Sequence, residues 1–203
     1  MIRRHWLRDL PELIKQIFPP RICKELKNLI IEVDPVDIQA IVEGKKGFFI
    51  FGETGTGKTL YASALLLESI YYYRHNQLGN PSALFVTSLD LLERIKRSFS
   101  DKGEERQDPI PMYSEADLLI IDDIGIEKVS EWVSQTLNYI INSRYEYLKP
   151  TIITSNFNLQ QLQDHLGSRT ISRIHEMTTG KHFNGKNYRL EKEGENNGVK
   201  RSA

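Results

Sequence analysis

The 203-residue sequence has a single cysteine, Cys23, and no net charge, with 27 lysines and arginines set against 27 aspartates and glutamates. One thiol can neither close an internal disulfide nor furnish a cysteine-based zinc site, which points to a reducing compartment and leaves Cys23 as a small half-buried hydrophobe. His165, His175 and His182 each lack a second ligand at metal-binding spacing, which argues against zinc on that side as well. Balanced charge removes any global field toward nucleic acid or an anionic surface, so such attraction has to come from a local patch. No apolar run approaches the roughly 18 residues of a membrane helix. The opening "MIRRHWLRDLPELIK" breaks its apolar residues with charge every few positions, unlike the core of a signal peptide. These absences describe a cytoplasmic protein without membrane contact.

What is present suits one ordinary domain with a substantial core: 39% hydrophobic and 27% charged residues. Residues 1–46 read as a short helical extension, with one or two amphipathic helices broken at Pro19-Pro20 and a turn at Asp34-Pro35. From Gly47 short apolar stretches alternate with helical patterns. "GFFIF" is followed by a helix from about Gly57 to Asn76, and "ALFV" by a helix that Ser88 caps and that runs to about Ser100. "DLLII" is followed by a helix from about Val129 to Tyr147, and "TIIT" closes the series. Strands apolar throughout and separated by helices imply a parallel sheet covered on both faces, an α/β fold. "SDKGEERQDPIP" reads as a surface loop, Trp132 as the anchor of its helix on the sheet, and residues 191–203 as a disordered tail. The tyrosines at 71–73 read as helix-end packing.

The stretch "GETGTGKT", Gly52 to Thr59, fits G-x-x-x-x-G-K-[ST] between a strand and a helix. A phosphate chain needs main-chain N–H groups turned inward, and residues without a Cβ let the backbone wrap that closely. The helix start adds partial positive charge, Lys58 reaches the β and γ phosphates, and the Thr59 hydroxyl holds Mg²⁺. The cradle is Gly52, Glu53, Thr54, Gly55, Thr56, Gly57, Lys58, Thr59 and Leu60, and it predicts binding of a nucleoside triphosphate. In "ADLLIIDDIG" four apolar residues deliver Asp122 and Asp123 to the carboxyl end of a buried strand, where the phosphate loop of an open parallel sheet also sits. Asp122 can then hold the metal shell and Asp123 polarise the attacking water, or the pair can cap the following turn. Asn156, after "TIITS", either senses the γ-phosphate or caps the helix of "NLQQLQDHL".

Together these motifs resemble AAA+ ATPases of the initiator and helicase-loader branch, the DnaC/DnaI helicase loaders and the IstB-like transposition ATPases. The resemblance covers residues 47–190 and also rests on "INSRYEYLKPTIITSN", "LGSRTISRI" and "GKNYRL". It implies a P-loop three-layer domain with a five-stranded parallel sheet and no full helical lid, with Asn156 as the sensor on the strand end. It further implies self-assembly into a ring or spiral with ATP between subunits. Arg173, with Arg169 second, then looks like the finger that enters a neighbour's site, and Arg189 is the sole late candidate for a second sensor. Residues 167–190 hold five basic side chains against one acid, Glu176. Lys96 and Arg97 in "LLERIKRSF" fall where relatives touch single-stranded DNA. Only about 46 residues precede the first core strand, short for the module with which loaders grip the replicative helicase.

The expectation is therefore an Mg²⁺-dependent ATPase that assembles on DNA, most simply a loader of a replicative helicase. An IstB-like transposition helper shares the chemistry, and a non-hydrolysing ATP-dependent scaffold is the alternative outside enzymology. A signalling GTPase would show an N/T-K-x-D motif, and none occurs; a small-molecule kinase needs an acceptor pocket and a lid, and "DDIG" followed by "TSN" argues against it.

Overall fold

Along β1 (Gly47–Gly52) the side chains alternate between two apolar layers, Phe48 and Ile50 toward one and Phe49 toward the other. A strand buried on both faces belongs inside a covered sheet. The computed structural model, which describes residues 11–28, 31–44, 46–100, 108–128, 130–185 and 187–188, shows that sheet. β2 (Ala83–Thr87), β3 (Leu118–Ile124), β4 (Thr151–Ser155) and β5 (Thr178–Phe183) join β1 in the order β2-β3-β4-β1-β5, every pairing parallel. The α/β three-layer fold expected from sequence is the one observed. Among the described residues no helix is long and apolar enough to cross a membrane.

One face carries α1 (Pro11–Ile17), α2 (Pro20–Asn28), α3 (Pro35–Val42) and α4 (Lys58–His75), whose Ile14, Phe18, Ile22, Leu26, Ile41, Leu65 and Leu66 share a core with Phe48, Ile50 and Ile152. All residues from Ala62 to Ile70 of α4 are buried. A helix buried all round cannot lie on a surface; α2 and α3 cover its outer side, and α1 packs on α2 and β2. The other face carries α5 (Ser88–Ser100), α6 (Ile110–Glu115), α7 (Glu131–Glu146), α8 (Leu159–Leu166) and α9 (Ser168–Met177). Leu91, Ile95, Tyr113, Leu137, Ile140, Leu162 and Ile174 pack there against Phe49, Ile121 and Ile153.

Several local readings are corrected. The hydroxyl that caps α5 is that of Thr87, accepting from the Asp90 N–H at 3.1 Å, and Ser88 turns its own hydroxyl into the protein. Asp34-Pro35 starts a helix, because the Asp34 carboxylate accepts from the Val36 N–H at 2.9 Å and proline suits the first helical turn. The end of the charged loop is already α6, again opened by proline. Trp132 is 37% exposed, so Val133, Leu137, Ile140 and Ile141 anchor α7 instead. Cys23 is fully buried, donating toward the Phe18 carbonyl at 3.3 Å. Tyr71 stacks on His75 and the Tyr73 hydroxyl donates to the Val42 carbonyl. The stretch 101–107, the basic start, Lys186, Arg189 and the tail 191–203 lie outside the described residues.

Arg144 of α7 is wholly buried. Its Nε donates to Thr151 Oγ1 at 2.8 Å, its Nη1 to the carbonyls of Tyr113 and Ala116 at 2.9 and 2.7 Å, and its Nη2 to that of Pro150 at 2.8 Å. Burial pulls the guanidinium down to about 9, with the charge of Asp117 opposing, so it stays cationic at neutral pH. The planar fork thereby fastens the approach to β3 onto the entry of β4, at the amino-terminal ends of the strands and away from the phosphate loop. Arg144→Ala orphans these carbonyls, at about 1–3 kcal/mol for each left unpaired, and is expected to cost about 3 kcal/mol or more in urea unfolding. Arg144→Lys recovers only part of that loss, because an ammonium cannot reproduce the fork. A lysine variant as stable as the parent would show that charge, not geometry, matters here.

Candidate functional site

Three strand ends supply the site, and their order decides what meets what. Between β1 and α4 the chain makes the glycine loop. Gly57, at φ +94°, caps α4 without a side chain, so no hydroxyl or carboxylate competes for the N–H groups of its first turn. Gly55, at φ +85°, sits under the later chain: its carbonyl accepts from the Tyr188 N–H at 3.1 Å, and a Cβ there would come within 2.0 Å of Asn187 Oδ1. Thr56 closes the loop by donating to the Glu53 carbonyl at 2.8 Å, whereas Glu53 and Thr54 are exposed and Thr59 and Leu60 half-buried.

Lys58, 5% exposed, donates to the carbonyls of Gly52 and Glu53 at 2.8 and 2.7 Å and to Asn156 Oδ1 at 2.9 Å. Asn156 follows β4, which lies beside β1. Of the two roles open to it, capping belongs to Asn158, whose side chain accepts from the Gln161 N–H while Gln161 returns the bond. Asn156 is left beside the lysine.

On the far side of β4, Thr154 donates to Asp122 Oδ1 at 2.6 Å and accepts from the Asp123 N–H at 2.9 Å. The Thr59 side chain lies near enough to the Asp122 carboxylate to favour its charged form. Burial raises the carboxyl of Asp122, 3% exposed, above the usual range; the charge of Asp123 adds to this, and the hydroxyls of Thr154 and Thr59 oppose it. Asp123 has φ +56°, where the register of β3 against β4 shifts, and Gly125 has φ +97°. A Cβ on Gly125 would approach Leu162 Cδ2 to 2.5 Å, so only glycine fits this turn.

The structure thus joins Lys58 to Asn156 on one side of β4 and sets Asp122 beside Thr154 and Thr59 on the other, with Asp123 on the same turn. It does not bring the arginines there. Arg173 reaches Asn138 Oδ1 at 3.4 Å and lies over the Tyr145 ring at 5.9 Å, and with exposed Arg169 it borders an open depression of about 500 Å³ formed by α7 and α9. Lys96 and Arg97 lie on the exposed face of α5, the latter paired with Glu93 at 2.9 Å. Sequence reading missed Thr154, the Glu127 carboxylate that accepts from Ser88 at 2.9 Å, and the contact of Asn187 and Tyr188 with the glycine loop. Their meaning resides in distant partners, and only Thr154 carried a signal, its place in "TIITSN".

The family of IstB-like ATP binding proteins matches residues 31–194. The replicative helicase loader DnaC of Escherichia coli K12 is 30% identical over 133 residues, 65% of this chain and 51% of that protein, so the chain spans about half the length of the curated relatives it matches. The crystal structure of the DnaC helicase loader superposes with a TM-score of 0.65 at 26% identity, covering 82% of this chain and 100% of that one. The replication initiator DnaA bound to AMPPCP and single-stranded DNA gives 0.63 at 22%, covering 88% and 56%, a likeness of fold.

The raised carboxyl of Asp122 fixes the sign of a pH effect. In the folded chain this group holds its proton to higher pH than when unfolded, so its ionisation removes stability as pH rises from the ordinary carboxylate range through the folded value. Asp122→Asn keeps the Thr154 bond without the charge. Calorimetry of the nucleotide-free protein is expected to give a higher Tm for the variant at neutral pH and equal values in strong acid. An unchanged neutral Tm would mean that the two hydroxyls fully offset burial.

Proposed function

This chain belongs to the family of IstB-like ATP binding proteins, and from that footing we propose that it hydrolyses ATP with Mg²⁺ as a self-assembling ATPase on DNA, in the manner of a replicative helicase loader. The observation that carries the reading is the buried link from Lys58 to Asn156, beside the Asp122–Thr59 pair. Two neighbouring hard oxygen donors fit the ligand preference of Mg²⁺, and Thr59 and Asp122 would hold it. When bound, the ion neutralises charge on the β and γ phosphates.

The protein groups divide the remaining work. The glycine loop and the uncapped start of α4 bind the phosphates through main-chain N–H groups. Lys58 adds a cation that Asn156 orients, so the amide registers whether a γ-phosphate has drawn the ammonium away from the carbonyls of Gly52 and Glu53. Asp123, on the same turn as Asp122, takes the proton of the attacking water. Neither Arg169 nor Arg173 has a contact with the glycine loop, which favours their acting on a neighbouring copy, with Arg173 entering first. Lys96 and Arg97 offer an exposed basic strip for single-stranded DNA on α5. The replicative helicase is the proposed client, and a transposase is the client under the transposition-helper reading.

ATP turnover measured against protein concentration, with and without single-stranded DNA, tests the proposal. Turnover is expected to rise faster than linearly with concentration. Arg173→Ala is expected to lower kcat about a thousandfold while ATP still binds, and Lys58→Ala to abolish binding. Linear turnover with an unaffected Arg173→Ala would remove the trans arginine, and no turnover under any condition would leave an ATP-dependent scaffold. Capture of a hexameric helicase as against a transposase separates the two clients.

A further inference from the structure

Glu127 is 95% buried, yet the chemistry assigned so far makes no use of it. An ionisable group so placed is costly unless its bonds accomplish something. Oε2 of Glu127 accepts from the Ser88 hydroxyl at 2.9 Å and from the Gly125 N–H at 3.0 Å, while its Oε1 is buried without a hydrogen-bond partner among the described residues. The Ser88 hydroxyl is also 3.0 Å from the carbonyl of Asp123. Both bonds converge on one turn. That turn contains two left-handed residues in three, Asp123 at φ +56° and Gly125 at φ +97°, and the first of them carries a side chain that disfavours the conformation. Thr154 holds the N–H of Asp123, Ser88 faces its carbonyl, and Glu127 joins Ser88 to Gly125.

We infer that Glu127 is a positioning residue, which through Ser88 and Gly125 braces the turn that aims the Asp123 carboxylate. It touches neither phosphate nor water and acts only through Asp123, so the inference rests on the reading of Asp123 as the general base. A carboxylate suits this place because one oxygen can accept from a hydroxyl and a main-chain N–H together. An apolar residue of similar size would fill the space and leave the Gly125 N–H unpaired. Ser88 opens α5, so the brace also fixes where that helix starts relative to the base.

Steady-state ATP turnover and equilibrium ATP binding of the full chain, with Tm as a folding check, test this with five proteins: Glu127→Gln, Glu127→Ala, Ser88→Ala, Asp123→Asn and the double variant Asp123→Asn/Glu127→Ala. A misaimed base forfeits part of the roughly 10²–10⁴ that general-base catalysis contributes. Glu127→Ala is therefore expected to lower kcat about 10- to 100-fold with KM and ATP affinity unchanged, and Ser88→Ala to do the same more weakly. Glu127→Gln, whose amide oxygen still accepts from Gly125, should restore most of the rate. The double variant should be no slower than Asp123→Asn alone, because the lost group worked through the one already gone.

The inference is overturned if folded Glu127→Ala keeps its kcat, if ATP affinity falls in step with kcat, or if the two losses multiply. Should Glu127→Ala fail to fold, a normal kcat in Ser88→Ala overturns it equally. A normal kcat in Asp123→Asn overturns the base assignment and this inference together, whereas an inactive Asp123→Asn beside a fully active Glu127→Ala overturns the inference alone.

Discussion

A buried ammonium must be surrounded by dipoles or anions, and that requirement organises the phosphate-binding end of this sheet. Lys58 sits at the first turn of a helix that is itself inside the protein, so its charge cannot extend into water as most lysines do. Two carbonyls of its own loop and the oxygen of Asn156 receive it. These three acceptors are neutral, and neutral acceptors give weaker bonds than ionised ones. A cation held by replaceable partners can respond to an incoming anion; one locked in a buried ion pair would resist it.

Sheet order makes the arrangement possible. β4 lies between β1 and β3, and its carboxyl end therefore faces both. Asn156 leans toward the lysine and Thr154 toward the two aspartates, so one short segment bridges groups that stand two strands, roughly 10 Å, apart. Had β3 lain directly beside β1, the aspartates would have met Lys58 with no neutral amide between them. The interposed strand keeps cation and carboxylates from cancelling one another. Burial then leaves Asp122 with a raised carboxyl, whose charged form is favoured by a nearby cation.

How much of this was legible in the sequence follows the range of the interactions. The glycine loop and the apolar strands are written in neighbouring residues, and Asp122, Asp123 and Asn156 announce themselves by standing at strand ends. β5 does not, because as an edge strand it pairs only with β1 and carries the polar string "TTGKHF", which lacks the apolar run of its neighbours. The error at Ser88 is of another kind. A serine at a helix start is ordinarily a cap, but Thr87 stands one residue earlier and captures the N–H of Asp90, which frees Ser88 for a partner 39 positions away. Trp132 misled for a similar reason: size predicts burial, whereas its position in the first turn of α7 faces it outward. Arg144 could not have been singled out, since four of its five acceptors are main-chain carbonyls without a sequence signature.

Several unfavourable features stand together at the carboxyl ends of β1, β3 and β4: a buried lysine, a buried aspartate, a glutamate oxygen without a hydrogen-bond partner among the described residues and a left-handed aspartate. Such a concentration survives only where the surroundings over-determine the backbone. Here the surroundings are α4, covered by α2 and α3, and the two layers of isoleucine, leucine and phenylalanine around β1, β3 and β4. The helices before the first strand are thus part of the support for the phosphate loop and not an appendage to it. The arginines of α9 follow the opposite rule. Arg169 is exposed, and half-buried Arg173 rests on Asn138 and Tyr145 through contacts that a side chain can leave at little cost. The buried parts of the site are provided within one chain, and the arginines proposed to act on another copy are kept nearer the surface.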